Sequence, residues 1–261
     1  MIRALYTAAS GMQAQQINID NIAHNLSNVN TTGFKKSRVE FEDLVYQQAK
    51  APGSPSSTTE APLGLELGLG TRPLATARDF RTGNLRATSG PLDLAIEGRG
   101  FLQITMPDGQ TAYTRSGALH LDAQGQIVTA DGFAVEPAIS IPENATSITI
   151  TKDGFVSVKV AGESAPQQVG TIELANFQNA PGLEAIGGNL FLVSTASGEA
   201  TTAQPGQDGM GVIIQGFLEE SNVSVVEEMV GMILGQRAYE ANSRVVKTAD
   251  EMLAQINNLA R

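Results

Sequence analysis

The 261-residue chain contains no cysteine and no tryptophan. Without cysteine it can form neither a disulfide nor a thiolate metal site, so its fold is independent of the redox compartment. Aromatic residues make up only 5% of the sequence. This scarcity argues against an exposed aromatic platform for glycans, and so against a secreted adhesin-like β domain on a helical stalk, which we keep as an alternative.

Basic residues and long apolar runs are also scarce. The chain has 17 Lys and Arg against 27 Asp and Glu, with a net charge of -10 and a pI of about 4.7. Binding to nucleic acid depends on clustered positive charge, so no nucleic-acid partner is expected. No apolar run approaches the roughly 20 residues of a membrane span, and the polar residues after Arg3 argue against a cleaved signal peptide. The hydrophobic content of 41% is still enough for packed cores in two or more units.

Proline is missing from both ends of the chain, because all eleven prolines lie between Pro52 and Pro205. Each end repeats apolar residues at alternating steps of three and four, which predicts long helices with a coiled-coil seam. We expect each helix to bury its seam against the other, in the same molecule or in a neighbour. The N-terminal seam is Ile2, Leu5, Ala9, Met12, Gln16, Ile19, Ala23 and Leu26. The C-terminal seam, with a one-residue slip after Tyr239, is Val225, Met229, Met232, Gln236, Tyr239, Asn242, Val246, Ala249, Leu253, Ile256 and Ala260.

The first thirty residues carry almost no charge, with only Arg3 and Asp20 among Asp, Glu, Lys and Arg. Their polar positions are mostly Asn and Gln, whereas a helix that faces bulk water normally carries Glu and Lys. We therefore expect neighbours on most sides of this helix, with its amides satisfied by other chains or by confined water. An ordinary terminal hairpin that caps the β region of a monomer is the alternative.

The region between the helices predicts strands and turns. Residues 47–70 are rich in Pro, Ser, Thr and Gly, yet Leu63, Leu65 and Leu67 alternate with Gly and Glu, which favours an extended arm laid on a surface. A short packed segment is expected at Phe34, Phe41, Leu44 and Val45. After residue 90, alternating strands and Asp-Gly turns indicate an antiparallel β domain, with a hairpin of residues 147–151 and 155–160 and later strands at 171–177 and 189–194.

These patterns predict an α+β fold in four parts. Residues 1–30 and 222–261 form the terminal helices, residues 31–90 form a connecting region with the arm at about 46–69, and residues 91–221 form the mainly antiparallel β domain. Signals for catalysis are weak. His24 and His120 are the only histidines, the spacing of a metal site is missing, and the G-x-G at Gly98 and Gly100 lacks the third glycine and the following helix. We predict no enzyme activity, no catalytic residues, no cofactor and no metal.

Several motifs together indicate a family. NLSNVNTTGFK at residues 25–35, DLAIEGRGF at 93–101, YTRSG at 113–117, GFLEESNV at 216–223 and QRAYEAN at 236–242 resemble the flagellar axial proteins, the rod and hook subunits of the bacterial flagellum. The resemblance covers nearly the whole chain. Within that family, the length of the chain and the passage before its Pro/Ser-rich stretch are most similar to the distal rod subunits.

The resemblance implies a structural subunit that self-assembles into a rigid helical tube, transmits torque from motor to hook and encloses the export channel. A proximal rod or hook subunit of the same family is the alternative. The terminal helices would pair as a coiled-coil-like inner domain, with the β domain outside. The implied location is the basal body, in the rod that spans the periplasm, after type III export without a cleaved signal peptide. The implied partners are copies of itself, proximal rod proteins, the hook protein, the P and L ring proteins, the rod cap and the export apparatus, with no small-molecule substrate.

The seams and motifs yield a predicted subunit interface. Gly33 should end the first helical segment in a positive-φ turn anchored by Phe34, and Ser221 or Asn222 should cap the last helix. Arg237 and Glu240 could pair within the helix or between subunits. The predicted interface residues are Leu5, Met12, Ile19, Leu26, Asn28, Gly33, Phe34, Leu63, Leu65, Leu67, Met229, Ile233, Arg237, Tyr239, Glu240, Asn242, Leu253 and Ile256.

Overall fold

The structure is a computed structural model that describes residues 2–50, 55–56, 59–60, 63–162 and 165–259. It has helix α1 at Ile2–Ser27, helix α2 at Val225–Leu259, and strands with one short 3-10 turn, Ala180–Gly182, between them. This confirms the predicted α+β class with terminal helices and a central, mainly antiparallel β region. The chain divides into two compact units. The first contains the residues up to Leu26, Ser37–Ala77 and the residues from Ser224, and the second contains Ser27–Lys36 and Arg78–Val223.

The two helices have 26 and 35 residues, so they are about 39 Å and 52 Å long. Neither helix contains, within its described residues, an apolar stretch that could cross a membrane. The residue before α2 is Ser224, whose carbonyl accepts the N–H of Glu228 at 3.0 Å and whose Oγ accepts that of Glu227 at 3.5 Å. The expected cap at Ser221 or Asn222 is therefore wrong, because both residues lie in the second unit, before the helix begins.

The first unit also contains a β ribbon. Its strands are β1 Ser37–Asp43, β2 Tyr46–Lys50, β3 Pro55–Ser56, β4 Thr59–Glu60, β5 Leu65–Gly68 and β6 Thr71–Arg78, the last ending at the unit boundary. They pair from the outside inward, β1 with β6, β2 with β5 and β3 with β4. The predicted extended arm is thus two antiparallel chain segments. Of the segment expected to pack, Phe34 is buried and Leu44 is half-buried. Phe41 and Val45 are 39% and 78% exposed, so the expectation is wrong for these two residues.

The second unit holds the remaining strands. The first eight are β7 Leu85–Ala87, β8 Leu94–Glu97, β9 Phe101–Thr105, β10 Thr111–Thr114, β11 Leu119–Leu121, β12 Ile127–Thr129, β13 Ala134–Glu136 and β14 Ala145–Ile150. The others are β15 Phe155–Val160, β16 Gln167–Thr171, β17 Leu174–Asn176, β18 Glu184–Gly187, β19 Leu190–Leu192, β20 Thr201–Ala203, β21 Val212–Gln215 and β22 Phe217–Glu219. The predicted hairpin of residues 147–151 and 155–160 is confirmed as β14 and β15.

One large sheet organises this unit. Its strand order is β11-β12-β13-β9-β10-β19-β18, with β17 also paired to β9 and β20 paired to β17. A three-stranded sheet, β14-β15-β16, and the pairs β21-β8 and β22-β7 complete it. The main core contains aliphatic side chains such as Leu102, Ile104 and Val156. A second, aromatic cluster contains Phe101, Tyr113, Phe177 and Phe191 with Phe80 packed against it.

Candidate assembly surface

Helices α1 and α2 approach each other through small residues. A Cβ atom at Gly231 would lie 3.3 Å from Cδ1 of Ile22, and one at Gly235 would lie 3.1 Å from Cγ1 of Ile19. On the other helix, a Cβ at Gly11 would lie 2.8 Å from Nδ2 of Asn242. Glycine at these positions leaves room for the side chains of the facing helix, and a larger side chain would require those side chains to shift.

The buried stripe of α2 is small and polar in its first half. Buried or half-buried positions recur along this stripe at steps of three and four, and they are Glu228, Met232, Gly235, Ala238, Asn242, Val246, Ala249 and Leu253. The second half of the predicted seam lies on this stripe up to Leu253. In the first half only Met232 does, because Val225, Met229, Gln236 and Tyr239 are exposed.

A second stripe of α2 is apolar and exposed. Its residues lie three or four positions apart and therefore share one face of the helix. They are 51–72% exposed, where a helix in contact with water normally carries charged side chains. They are Val226, Met229, Val230, Ile233 and Leu234. A contiguous apolar face of this kind is typical of a protein interface.

The β ribbon exposes a second set of apolar side chains. Leu63 is 80% exposed, Leu65 56% and Leu67 38%. Tyr46 is also exposed, and its hydroxyl donates to Oδ2 of Asp43 at 2.7 Å, which raises the pKa of Tyr46. Two strands alone are marginally stable in water, so a ribbon with apolar exposed residues gains stability by packing on another surface.

Two amides of α1 are satisfied inside the chain. The side chain of Asn25, 2% exposed, donates to the Ser37 carbonyl at 2.8 Å and to Oε2 of Glu228 at 3.4 Å, and accepts the Ser37 N–H at 3.0 Å. Asn21 donates to the same carbonyl at 2.7 Å. For Asn21 and Asn25, then, the expectation that other chains or confined water satisfy the amides is wrong. Their partners tie α1 to β1 and, through Glu228, to α2.

The turn after α1 lies in the second unit. Gly33 has φ of +71°, and a Cβ atom there would lie 2.7 Å from the Ser116 nitrogen. Its own N–H donates to the Glu219 carbonyl at 2.8 Å. Phe34 beside it is 4% exposed. The positive φ expected at Gly33 is confirmed, and the close backbone contact gives a further reason for glycine. The expectation that Gly33 ends the first helix is wrong, because α1 ends at Ser27.

A buried ionic cluster follows this turn. Oε1 of Glu219 lies 2.5 Å from Nζ of Lys35, and its Oε2 lies 3.0 Å from Nε of Arg115. All three residues are at most 2% exposed. Backbone carbonyls also accept from both cations: Lys35 donates to the Arg81 carbonyl at 2.8 Å, and Arg115 donates to the carbonyls of residues 96, 98 and 100 at 2.9–3.1 Å.

This cluster holds two cations and one carboxylate. Burial of Lys35, together with the positive charge of Arg115, lowers the lysine pKa to about 8 in spite of the attraction of Glu219. Sequence reasoning missed the cluster, although all three residues lie in motifs that it had singled out. It fixes the turn after α1 and the strand β22 before α2 to one point of the second unit.

The predicted interface residues divide into three groups. Gly33 and Phe34 are buried in the second unit, and the half-buried residues are Leu5, Met12, Ile19, Leu26, Asn28, Asn242 and Leu253. The exposed residues are Leu63, Leu65, Leu67, Met229, Ile233, Arg237, Tyr239, Glu240 and Ile256. Arg237 and Glu240 form an exposed pair within α2 at 3.1 Å. Over the described parts of the chain, His, Asp and Glu side chains do not gather in threes as metal ligands would.

Three family models match the sequence. The model for "Flagella basal body rod protein" matches residues 5–35, that for "Flagellar hook protein FlgE/F/G D1 domain" matches residues 95–158, and that for "Flagellar basal body rod FlgEFG protein C-terminal" matches residues 214–259. They fall on α1 and its turn, on the strands from β8 to β15, and on the last strands with α2.

Similar proteins match over the full length. The chain is 51% identical to the flagellar basal-body rod protein FlgG of Caulobacter vibrioides over 260 residues, which cover 99% of both chains. It is 52% identical to the FlgG protein of Borreliella burgdorferi over 264 residues, covering 100% of both. Its identity to the flagellar hook-basal body complex protein FlhP of Bacillus subtilis is lower, 31% over 274 residues.

Proposed function

The chain belongs to the FlgG family of flagellar basal-body rod proteins, and from this premise we propose that it is a structural subunit of the distal rod that assembles with copies of itself into a helical tube. It is a protein of the flagellar basal body with a structural role and not an enzyme. The observation that carries self-assembly is the exposed apolar face of α2, formed by Val226, Met229, Val230, Ile233 and Leu234.

In this proposal α1 and α2 pair as a coiled-coil-like inner domain. The close approach at Gly231 and Gly235 supports pairing within one molecule. Because that contact uses the small, polar stripe of α2, the apolar stripe stays available for a neighbour. The division into residues 1–30, 31–90, 91–221 and 222–261 serves as the working domain scheme.

The proposed interface is made of the exposed residues of the predicted set. Burying a fully exposed apolar side chain stabilises by roughly 1.5–3 kcal/mol, so covering the exposed half of five side chains contributes on the order of 5 kcal/mol per subunit. The half-buried seam residues support this surface by holding the helices together. Arg237 and Glu240 can exchange their internal pair for one between subunits, with little net gain because exposed ion pairs contribute at most about 1 kcal/mol.

The wider set of partners follows from the proposed place in the flagellum. A distal rod subunit contacts proximal rod proteins and the hook protein at its two ends, and the P and L ring proteins around it. The rod cap and the export apparatus act during its assembly. These partners are proposals that rest on family membership.

Substitution on the apolar face of α2 tests the function. We expect Ile233→Asp, alone and with Val226→Asp, to abolish or strongly reduce polymerisation, because burying an unpaired carboxylate in an interface costs several kcal/mol. Folding of the monomer should change little, since both positions are more than half exposed and such substitutions stay within about 0.5 kcal/mol. Sedimentation of the purified protein and motility of cells that carry the variants measure assembly.

The matched control is Gln255→Asp, which adds the same charge at an exposed polar position of α2. A conservative control is Glu251→Gln, also at an exposed position. Both should assemble like the wild type. If Ile233→Asp polymerised as well as these controls, the apolar face would not be an interface.

A further inference from the structure

The second unit contains a cleft of its own. It has a volume of about 530 Å³, which falls within the range of sites that enclose a ligand or a short peptide segment. Its floor contains Phe80, Phe101 and Phe177, with ring centroids of Phe80 and Phe101 5.3 Å apart and those of Phe101 and Phe177 5.7 Å apart. The basic side chains around this floor are Arg78, Arg81, Arg99 and Arg115.

Two of these arginines are already occupied. Arg115 belongs to the buried ionic cluster, where Glu219 and three carbonyls accept its hydrogen bonds. Arg81 pairs with Asp79, and its Nε and Nη2 both donate to Oδ2 at 2.8 and 2.5 Å. These contacts occupy the nitrogen donors of Arg115, whereas in Arg81 the adjacent Asp79 carboxylate already offsets the positive charge.

Arg78 is different. It is half-buried, its guanidinium carbon lies 5.3 Å from the ring centroid of Phe191, and no described residue accepts a hydrogen bond from it. Burial lowers its pKa. Arg99 is exposed at the same cleft and also has no acceptor among the described residues. A partly desolvated guanidinium without an acceptor is costly, and a carboxylate placed against it would remove that cost.

We propose that this cleft binds a carboxylate-bearing segment of a second copy of this chain, with the carboxylate on Arg78 and Arg99 and an adjoining apolar side chain on the phenylalanine floor. The inference rests on the proposed self-assembly and assigns it a second contact. A free inorganic anion would satisfy the arginines but would leave the aromatic floor uncovered.

Charge complementarity identifies a second copy as the occupant. The chain carries 27 acidic against 17 basic residues, so its copies repel one another wherever acidic surfaces meet. The cleft, by contrast, collects four arginines and one aspartate. An acidic segment of a neighbour that enters the cleft replaces repulsion with charge-assisted hydrogen bonds and fixes the register between subunits.

The first experiment tests the chemistry of the cleft on the full chain. 3-Phenylpropionate, a carboxylate joined to an aromatic ring, is titrated while the Nε–Hε signals of the arginines are followed by NMR. We expect saturable shifts at Arg78 and Arg99, and an affinity about tenfold lower in Arg78→Gln. Shifts that do not saturate, or an affinity unchanged in Arg78→Gln and Arg99→Gln, would overturn the proposed site.

The second experiment tests the occupant. Self-association of the wild type is compared by sedimentation with Arg78→Gln/Arg99→Gln and with Lys152→Gln/Lys159→Gln, which removes the same charge at exposed positions of the same unit. We expect association to be at least about tenfold weaker only in the arginine variant. Circular dichroism verifies its folding, and Arg99→Gln, at an exposed position, should give a smaller effect in the same direction.

The outcomes separate the two proposals. Equal association of the arginine and lysine variants would overturn the second-copy occupant and leave the proposed rod function standing. A wild type that does not associate under any condition would overturn both. A photo-crosslinking residue at Gln178, on the exposed rim of the cleft, should yield an adduct with an acidic segment of another copy.

Discussion

At the scale of single residues, the charges of Lys35, Glu219 and Arg115 hold together the two ends of the second unit, which we call the β unit. Removing one partner of a buried ion pair costs about 3–5 kcal/mol, because the other charge is left uncompensated. Glu219 serves two cations at once, and it also accepts the Gly83 N–H at 2.9 Å. We therefore expect substitution of Glu219 to lower the free energy of unfolding more than substitution of Lys35 or Arg115.

The cluster makes stability depend on pH in the alkaline range. The pKa of Lys35 is lowered to about 8 in the folded chain from 10.5, so between these values the unfolded chain binds a proton that the folded chain has lost. The free energy of unfolding then rises with pH across this window, by on the order of 3 kcal/mol at most for this group. Below pH 8 both states hold the proton, and the gain is absent.

Two measurements examine this prediction. The ¹³Cε signal of Lys35 should titrate with a midpoint near 8, and Lys35→Met identifies that signal by its disappearance. Urea unfolding of the wild type, compared with Lys35→Met at each pH, isolates the contribution of this lysine. A midpoint at the ordinary lysine value, or a stability difference that does not change with pH, would contradict it.

At the scale of elements, the β ribbon and α2 both present apolar side chains to the outside. Every residue of β2 and β5 in the ribbon is exposed, so these strands keep apolar surface that a neighbouring molecule can cover. An arm of this form can tie two subunits at a fixed separation. This is a mechanical role, because a rod that acts as a drive shaft must not bend, whereas a hook must.

Deleting residues 47–62 should therefore leave export and polymerisation largely intact and yield a more flexible or curved polymer. The physical reason is the loss of contacts from the arm, while the apolar face of α2 is retained. Electron micrographs of the polymers give the curvature. Gln48→Ala is the control that keeps the arm, because it removes only the exposed hydrogen bond to Glu66 at 3.3 Å. Equally straight polymers after the deletion would place stiffness in contacts of the β units instead.

At the scale of the whole molecule, the chain passes between its two units several times. The β unit has both hydrophobic clusters and the ionic cluster within its own residues. In the first unit, which we call the helical unit, the described residues include few buried apolar side chains, among them Ala8, Ala14, Ile22 and Ala249. We therefore expect the β unit to be stable alone and the helical unit to depend on contacts with neighbouring subunits.

Removing residues 224–261 should abolish polymerisation and leave the β unit folded. The deletion begins at the unit boundary after Val223, which is buried and belongs to the β unit. Circular dichroism should retain the β signal and lose most of the helical signal, since α1 also loses its partner. Sedimentation should find no long polymer, whereas Glu251→Gln should form polymers normally. Loss of the β signal would contradict the independence of the β unit.

The sequence by itself determined the helices at the two ends, the strands between them and several turns. Proline-free, periodic ends leave little alternative to helix, and Asp-Gly pairs between alternating residues specify hairpins through local backbone preferences. Gly33 was predictable for the same reason, because a positive φ is a local demand. The family was predictable from motifs that lie in these local elements.

Only the tertiary structure decided which faces are used. In the first half of α2 two apolar or small stripes compete at helical spacing, and the fit of Gly235 against Ile19 determines which one is buried. The ionic cluster joins Glu219 to residues 184 and 104 positions away, a separation that no local pattern encodes. The arginine cleft likewise forms from distant segments. Which remote side chains pair depends on the tertiary arrangement of the chain, and sequence periodicity carries no information about that arrangement.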